Sequence, residues 1–154
     1  MEYSIPWYKK PLILDTLILD LNGTISVDGK LIVWVENKID SLKKSWRTIL
    51  LCSGDTQWTA DTIAKKIGAV LYHCKDQHDK EKILKKNKAK HSVAIGNGNI
   101  DVKLMKKCEL SIAVIQAEWC SRKAIESSDI VCTNIVDALD ILLLPKRLIA
   151  TMRK

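Results

Sequence analysis

Residues 17–24 read Leu-Ile-Leu-Asp-Leu-Asn-Gly-Thr. Three aliphatic residues run into a single carboxylate, and Asn22-Gly23 ends the run. Such a pattern describes a parallel strand buried on both faces that carries one acid to its C-terminal end. In open α/β sheets, ligands bind at that edge. Asp20 can serve there as a nucleophile or a metal ligand. It can equally do no more than cap the turn, and these eight residues do not separate the two roles.

The rest of the chain repeats the pattern. Thr48–Cys52, Ala69–Tyr72, Ser92–Ile95, Ser111–Ile115 and Ile130–Cys132 are further short apolar runs, and each is predicted to be a strand. Between them lie helical periods. Ile32, Val35, Ile39, Leu42 and Trp46 form one apolar stripe, which predicts an amphipathic helix with its tryptophans in the core. Ala60, Ile63, Ala64 and Ile67 form another, stopped by Gly68. Helices are also expected near 79–88, 100–107, 118–126 and 134–143, the last ended by Pro145. Alternating strands and helices with short connections predict an α/β fold: a doubly wound, mostly parallel sheet with helices on both faces. At 154 residues the chain fits one domain over 1–154. Residues 1–11 read as an extended lead-in, and residues 146–154 as a basic tail without assigned structure.

A net charge of +7 invites a search for nucleic-acid contacts. The densest basic run, Lys80 to Lys90, has no interleaved aromatic to stack on bases, so a solvated helix face is expected and nucleic acid is not. Five cysteines without a CxxC pair suit a reducing compartment. His73, Cys74 and His78 match no zinc spacing. No apolar stretch approaches 18 residues and no leader-like segment opens the chain, so a cytoplasmic protein with no membrane contact is expected.

Polar residues mark several strand ends. Asp20 follows the first strand and Ser53 the second; Asn97 and Asp101 follow the fourth, and Lys80 opens the helix before it. On one sheet edge they would form a phosphoryl-transfer set: a nucleophilic carboxylate, oxygen ligands for magnesium, and a hydroxyl and an ammonium for phosphate oxygens. Glycine-rich turns would let backbone N–H groups approach the anion.

These residues also carry a family resemblance. Asp20-Leu21-Asn22-Gly23-Thr24 resembles the DxxGT motif of haloacid dehalogenase-like phosphotransferases, and within them the phosphorylation domain of P-type ATPases. Ser53-Gly54-Asp55-Thr56-Gln57-Trp58-Thr59-Ala60 with Ile63-Ala64 and Ile67-Gly68 resembles TGDNxxTAxxIAxxxG. Gly96-Asn97-Gly98-Asn99-Ile100-Asp101 resembles GDGxND, and Ser111–Val114 through Ala124 and Asp129 resembles the run that follows it. The match spans roughly residues 12–140 and is most similar to soluble P-type ATPase-like hydrolases without a cap domain.

The resemblance implies that Asp20 is the phosphorylated nucleophile and a magnesium ligand, and that the Asn22 carbonyl also holds the metal. Asn22, Gly23, Thr24, Ser53 and Gly54 would surround the phosphate, and Lys80, with Lys82 as the alternative, would neutralise it. Asn97 and Asp101 would complete the metal site. Two departures stand out. The usual second Asp, the general acid and base, is Asn22, and the first acid of GDGxND is Asn97. Both imply slow turnover or a phosphate-binding regulatory module. Only 28 residues separate Thr24 from Ser53, and 26 separate Ser53 from Lys80, too few for a sizeable cap. The site would then take a phosphorylated substrate directly, or borrow a lid from a second copy or a protein partner.

Overall fold

The structure is a computed structural model and describes residues 1–54, 58–87 and 89–153. The expected turn residues Asp55 and Thr56, together with Gln57, Lys88 and Lys154, lie outside the described residues. In chain order the elements are β1 (Glu2–Tyr3), β2 (Leu12–Ile13), β3 (Thr16–Asp20), β4 (Ser26–Val27), β5 (Lys30–Leu31), α1 (Val35–Lys43), β6 (Thr48–Ser53), α2 (Trp58–Ile67) and β7 (Val70–His73). Then come α3 (Gln77–Lys86), β8 (Ser92–Gly96), a 3-10 turn (Asn99–Asp101), α4 (Val102–Met105), β9 (Leu110–Val114), α5 (Arg122–Glu126), β10 (Ile130–Cys132), α6 (Ile135–Leu143) and α7 (Pro145–Met152).

Six strands form the central sheet in the order β7-β6-β3-β8-β9-β10, and all its pairings are parallel. The chain moves outward from β3 in one direction and then returns to its other side with β8. The switch point between β3 and β8, where loops diverge and leave a crevice, is therefore at Asp20 and Gly96. Side chains alternate along β3. Leu17 and Leu19 pack into one apolar layer with Ile39, Ile63, Leu139 and Leu148 from α1, α2, α6 and α7. Ile18 packs into the other with Ile83, Leu104 and Ala124 from α3, α4 and α5. This two-sided burial is what a continuous apolar strand requires. Among the described residues, no helix is long and apolar enough to cross a membrane.

Several boundaries differ from expectation. The first helix is confined to Val35–Lys43, because Trp34 sits in left-handed backbone (φ 75°) and blocks an earlier start. Trp46 is buried beyond its end, whereas Trp34 is 63% exposed and not a core residue. The helix expected from 118 begins only at Arg122, after Trp119 (φ 65°), with the Ser121 side chain capping the Ala124 N–H. Pro145 ends α6 as expected and also opens α7 in the tail left without assigned structure: proline at a first helical position loses no needed N–H, and α7 buries Leu148. The lead-in is also integrated. β1 pairs antiparallel with β2, and the buried Tyr3 hydroxyl donates to Leu142 O at 2.8 Å.

Candidate active site

Three ionised groups meet at the C-terminal edge of the sheet. Asp20 ends β3, Asp101 closes the 3-10 turn after β8, and Lys80 projects from the first turns of α3. Lys80 Nζ lies 2.5 Å from Asp20 Oδ1 and 2.6 Å from Asp101 Oδ1. Lys80 is completely buried. The expectation of a solvated lysine face on α3 therefore fails at this position. Asp76 caps the helix, accepting from the His78 and Asp79 N–H groups, and this fixes the phase in which Lys80 and Ile83 share the inward face. Lys82 points outward to Asp79, so of the two candidate lysines Lys80 faces the site.

The electrostatics are tightly balanced. Burial opposes the charge of Lys80, but the two carboxylates outweigh it and hold the ammonium above its ordinary range. Burial, and next the Asp101 carboxylate, push Asp20 from the ordinary 3.8 up to about 7, against the opposing pull of Lys80 and the Leu21 N–H. One ammonium thus stands between two carboxylates.

Around this trio the loops interlock. Thr24 Oγ1 lies 3.3 Å from Asp20 Oδ2 and 3.2 Å from Asn97 Oδ1 and shares its proton between them. Asp101 Oδ2 accepts the N–H groups of Asn97 and Gly98, at 3.2 and 2.9 Å. Ser53 is buried at the end of β6, one residue beyond Cys52, the register partner of Asp20. Gly54 follows it, facing Cys74 O. Asn22 turns its side chain toward Ser26, whose hydroxyl donates to Asn22 Oδ1 at 3.3 Å.

Two glycines are dictated by space. A Cβ on Gly23 (φ 73°) would come within 2.2 Å of Asn97 Nδ2, and one on Gly96 within 2.5 Å of the Asp101 carboxylate. The Gly23 N–H donates to Ser26 O at 2.9 Å, and the residue packs closely against Asn97.

All the site residues expected from sequence thus lie along one edge, with Asp20, Thr24, Lys80, Asn97 and Asp101 in a connected network. The residues that hold the network from the far side were not anticipated. Gln116 Nε2 donates to Gly23 O and Thr24 O, at 3.1 and 2.6 Å, while its Oε1 accepts the Ile135 N–H. Asn97 Nδ2 donates to Trp119 O at 2.9 Å, and the Ser121 N–H donates to Asn97 O at 2.8 Å. Glu118 Oε1 accepts the Asp28 N–H at the tip of the β4–β5 hairpin. Trp119 itself is 75% exposed on left-handed backbone. That conformation costs a non-glycine residue about 1–2 kcal/mol.

The donor set suits magnesium. Among the described residues no group of three or more His, Cys, Asp or Glu side chains is placed to hold a metal ion. A hard cation, however, also accepts amide oxygens, and Asp20, the Asn22 carbonyl and Asn97 Oδ1 are oxygen donors on neighbouring loops. Asp101 has both oxygens engaged, one on Lys80 and one on its own loop. In such a site it would hold the cation or its waters while anchoring that loop.

No family model matches the chain. An uncharacterized protein of Methanocaldococcus jannaschii is 51% identical over 73 residues, which cover 47% of this chain and 78% of that protein. A soluble P-type ATPase-like phosphatase of the same organism is 28% identical over 139 residues, 87% of this chain, and the chain spans about half (51%) of that relative's length. The fold agrees. The cobalt-bound deoxy-D-mannose-octulosonate 8-phosphate phosphatase of Haemophilus influenzae superposes with a TM-score of 0.74 at 14% identity, covering 92% of this chain and 94% of that one. The chain shares its fold with haloacid dehalogenase-type structures. Two further structures align closely. The Moraxella catarrhalis phosphatase of the same name, solved with magnesium, phosphate and its KDO molecule, has a TM-score of 0.74 at 18% identity over 91% of this chain and 94% of that one. A phosphoserine phosphatase in apo form has a TM-score of 0.71 at 16% identity over 85% and 98% of the two chains.

Proposed function

We propose that this haloacid dehalogenase-fold chain is a magnesium-dependent phosphohydrolase or phosphotransferase that works slowly through an aspartyl phosphate at Asp20. The observation that carries this reading is the buried Lys80 ammonium held between Asp20 and Asp101 at the switch point. The phosphatase name of the half-matched relative supports it.

In this reading an Asp20 oxygen attacks phosphorus and the bond from phosphorus to the leaving oxygen breaks. The leaving group takes its proton from water, because Asn22 has none to give. A second water then attacks phosphorus, releasing phosphate and restoring the carboxylate. Lys80, Thr24, Ser53 and the Gly54 N–H hold phosphoryl oxygens by charge-assisted bonds. Magnesium would be held by Asp20, the Asn22 carbonyl and Asn97, with Asp101 beside them, and would offset repulsion between carboxylate and phosphate. Between Thr24 and Ser53 the chain holds only β4, β5 and α1. Without a cap inserted there, the site would take a phosphorylated substrate directly, or borrow a lid from a second copy or a protein partner.

The test is turnover of acetyl phosphate and p-nitrophenyl phosphate with magnesium, together with trapping of acyl phosphate. Wild type should turn over and Asp20→Asn should not; equal behaviour would end the enzyme reading. A second reading, a phosphate-binding regulatory module, is favoured by Asn22 and Asn97. It predicts that beryllofluoride with magnesium raises the melting temperature while no product forms.

A further inference from the structure

The helices over the Ile18 face of the sheet leave a gap. Between α3, the 3-10 turn, α4 and α5 lies a cleft of about 710 Å³, a volume that suits a small organic ligand. Two of its walls belong to the site already described. Gln77 lies on α3 one turn before Lys80, in the row that Lys80 and Ile83 continue inward. Asn99 stands in the turn after β8, between Asn97 and Asp101. The other walls are basic. Lys103 and Lys106 from α4 and Lys123 from α5 line the cleft, against one acid, Glu126. Glu126 is already engaged by Arg122 at 3.4 Å, and the neighbouring Glu81 by Lys107. Lys103 Nζ lies 2.9 Å from His78 Nε2, a contact that tethers it to α3 without a counter-charge. Neither Lys106 nor Lys123 has an ion-pair partner among the described residues. Two other hollows differ in this respect. Lys66, beside Trp34, meets Glu36 at 3.1 Å, and Arg147, beside Cys132, meets Asp140 at 3.8 Å. A hollow that gathers three uncompensated cations is complementary to an anion.

Resting on the phosphoryl transfer proposed above, we infer that this lysine cleft is a subsite for a second phosphate of the substrate, and that the substrate class is a small phosphate ester carrying at least one further phosphate group. With the reacting phosphate beside Asp20, the rest of such a molecule would pass over Asn99 and set its second phosphate among Lys103, Lys106 and Lys123. The three lysines touch the part of the substrate that does not react, so they set specificity and take no part in bond-making. Ammonium groups on flexible stems suit this task, because each meets a phosphate as a point charge. The bond that breaks is still the one from the reacting phosphorus to the leaving oxygen, and the second phosphate departs with the leaving group. An ester with an uncharged leaving group would gain nothing from the cleft.

The experiment reads binding separately from turnover. Inorganic tripolyphosphate is titrated calorimetrically, without magnesium, into wild type and two triple variants. The cleft variant combines Lys103→Gln, Lys106→Gln and Lys123→Gln. The control combines Lys85→Gln, Lys86→Gln and Lys90→Gln, which removes the same charge from exposed positions outside the cleft. Wild type should bind saturably. The cleft variant should bind on the order of 10-fold more weakly, and the control within about twofold of wild type. In turnover of p-nitrophenyl phosphate with excess magnesium, tripolyphosphate should compete on the order of 10-fold better than orthophosphate in wild type. In the cleft variant the two inhibitors should come within about twofold, with kcat and KM for p-nitrophenyl phosphate within about twofold of wild type. Equal weakening in the cleft variant and the control would reduce the effect to net charge and overturn the subsite. So would failure of wild type to bind, or binding that does not compete with p-nitrophenyl phosphate. Binding lost in the cleft variant, with no turnover of any phosphate by wild type, would keep the cleft as a polyphosphate site and remove the hydrolase reading instead.

Discussion

Strand β3 is bracketed by two acids with opposite fates. Asp15 stands just before its first residue and Asp20 is its last. Asp15 is partly open to solvent; it accepts from Thr16 Oγ1 at 2.7 Å and meets Arg47 Nε at 3.5 Å. Asp20 is enclosed, faces a second carboxylate across one ammonium, and is pushed up to about 7. The two acids are identical in covalent chemistry and share one strand. What separates them is which end of a parallel sheet they occupy. At the N-terminal end the chain enters among solvated loops. At the C-terminal end the β3 and β8 loops part, and the space between them is lined by buried charge. The comparison teaches that crowded, buried charge gathers at the end where such sheets bind ligands, whereas a half-exposed ion pair stands at the other.

The sharpest way to break the comparison is to neutralise Asp20. Asp20→Asn should lower turnover by about 10³-fold or more, the scale of losing a nucleophile. It should at the same time stabilise the fold at pH 8. The folded-state value of Asp20 is raised, so the folded chain holds this proton more tightly than the unfolded chain. The contribution of Asp20 to stability is therefore full below about pH 4 and falls as pH rises toward 7. Urea unfolding of the metal-free protein at pH 5 and pH 8 should show that decline in wild type and a shallower one in Asp20→Asn. A steeper decline in the variant would mean that the carboxylate is stabilising.

Next in size is the ammonium. Lys80→Met leaves two buried carboxylates facing each other without a counter-ion. Breaking such a buried set costs about 3–5 kcal/mol. The loss should be smaller at pH 5, where Asp20 is protonated, than at pH 8. A uniform loss at both pH values would show that the lysine stem, and not its charge, is what the core needs. Smaller still is Asn22→Asp, which would restore a proton donor at the mouth. General acid–base catalysis is worth about 10²–10⁴-fold where it is well positioned. Asn22 turns toward Ser26, so a gain near the low end is expected, read as kcat on p-nitrophenyl phosphate.

Much of this was legible in the residue order. Several strand ends, and the helix before the fourth strand, announced their polar residues, and the alternation of runs and periods implied that those ends share an edge. Asp20, Ser53, Lys80, Asn97 and Asp101 followed from that. The choice between Lys80 and Lys82 was also encoded, in the spacing from Lys80 to Ile83 and the Asp76 cap, but it needed the helix start to be fixed first. What could not be read were features created by contacts between distant loops. Gln116 is an unremarkable polar residue until β3 and β9 are neighbours of β8 and its amide reaches the Gly23–Thr24 turn. The left-handed backbone at Trp34 and Trp119 is a tertiary constraint at residues whose local preference opposes it, and this is why two predicted helices began too early. Pro145 stopped α6 as expected, but that it also opens a further helix was not read, because a missing N–H ends one helix and begins the next equally well.

The smallest effect belongs to the other acid, and it is the one that tests whether the contrast is real. Asp15→Asn would remove the carboxylate facing Arg47 but leave the Asp15 carbonyl, which accepts the Arg47 and Thr48 N–H groups at 2.8 and 3.2 Å. Those backbone bonds, not the charge, fix the entry of β3 beside β6. Arg47 and Asp15 side chains are 53% and 31% exposed, so water screens the pair and its worth is about 0–1 kcal/mol. The variant should unfold within that margin of wild type, and its turnover should stay within about twofold, since Asp15 stands at the opposite end of β3 from the reaction centre. Raising the salt concentration should shrink even that difference. A loss comparable to that of Lys80→Met would mean that the charge at the N-terminal edge is as demanding as the one at the C-terminal edge, and sheet polarity would no longer explain the contrast between the two acids.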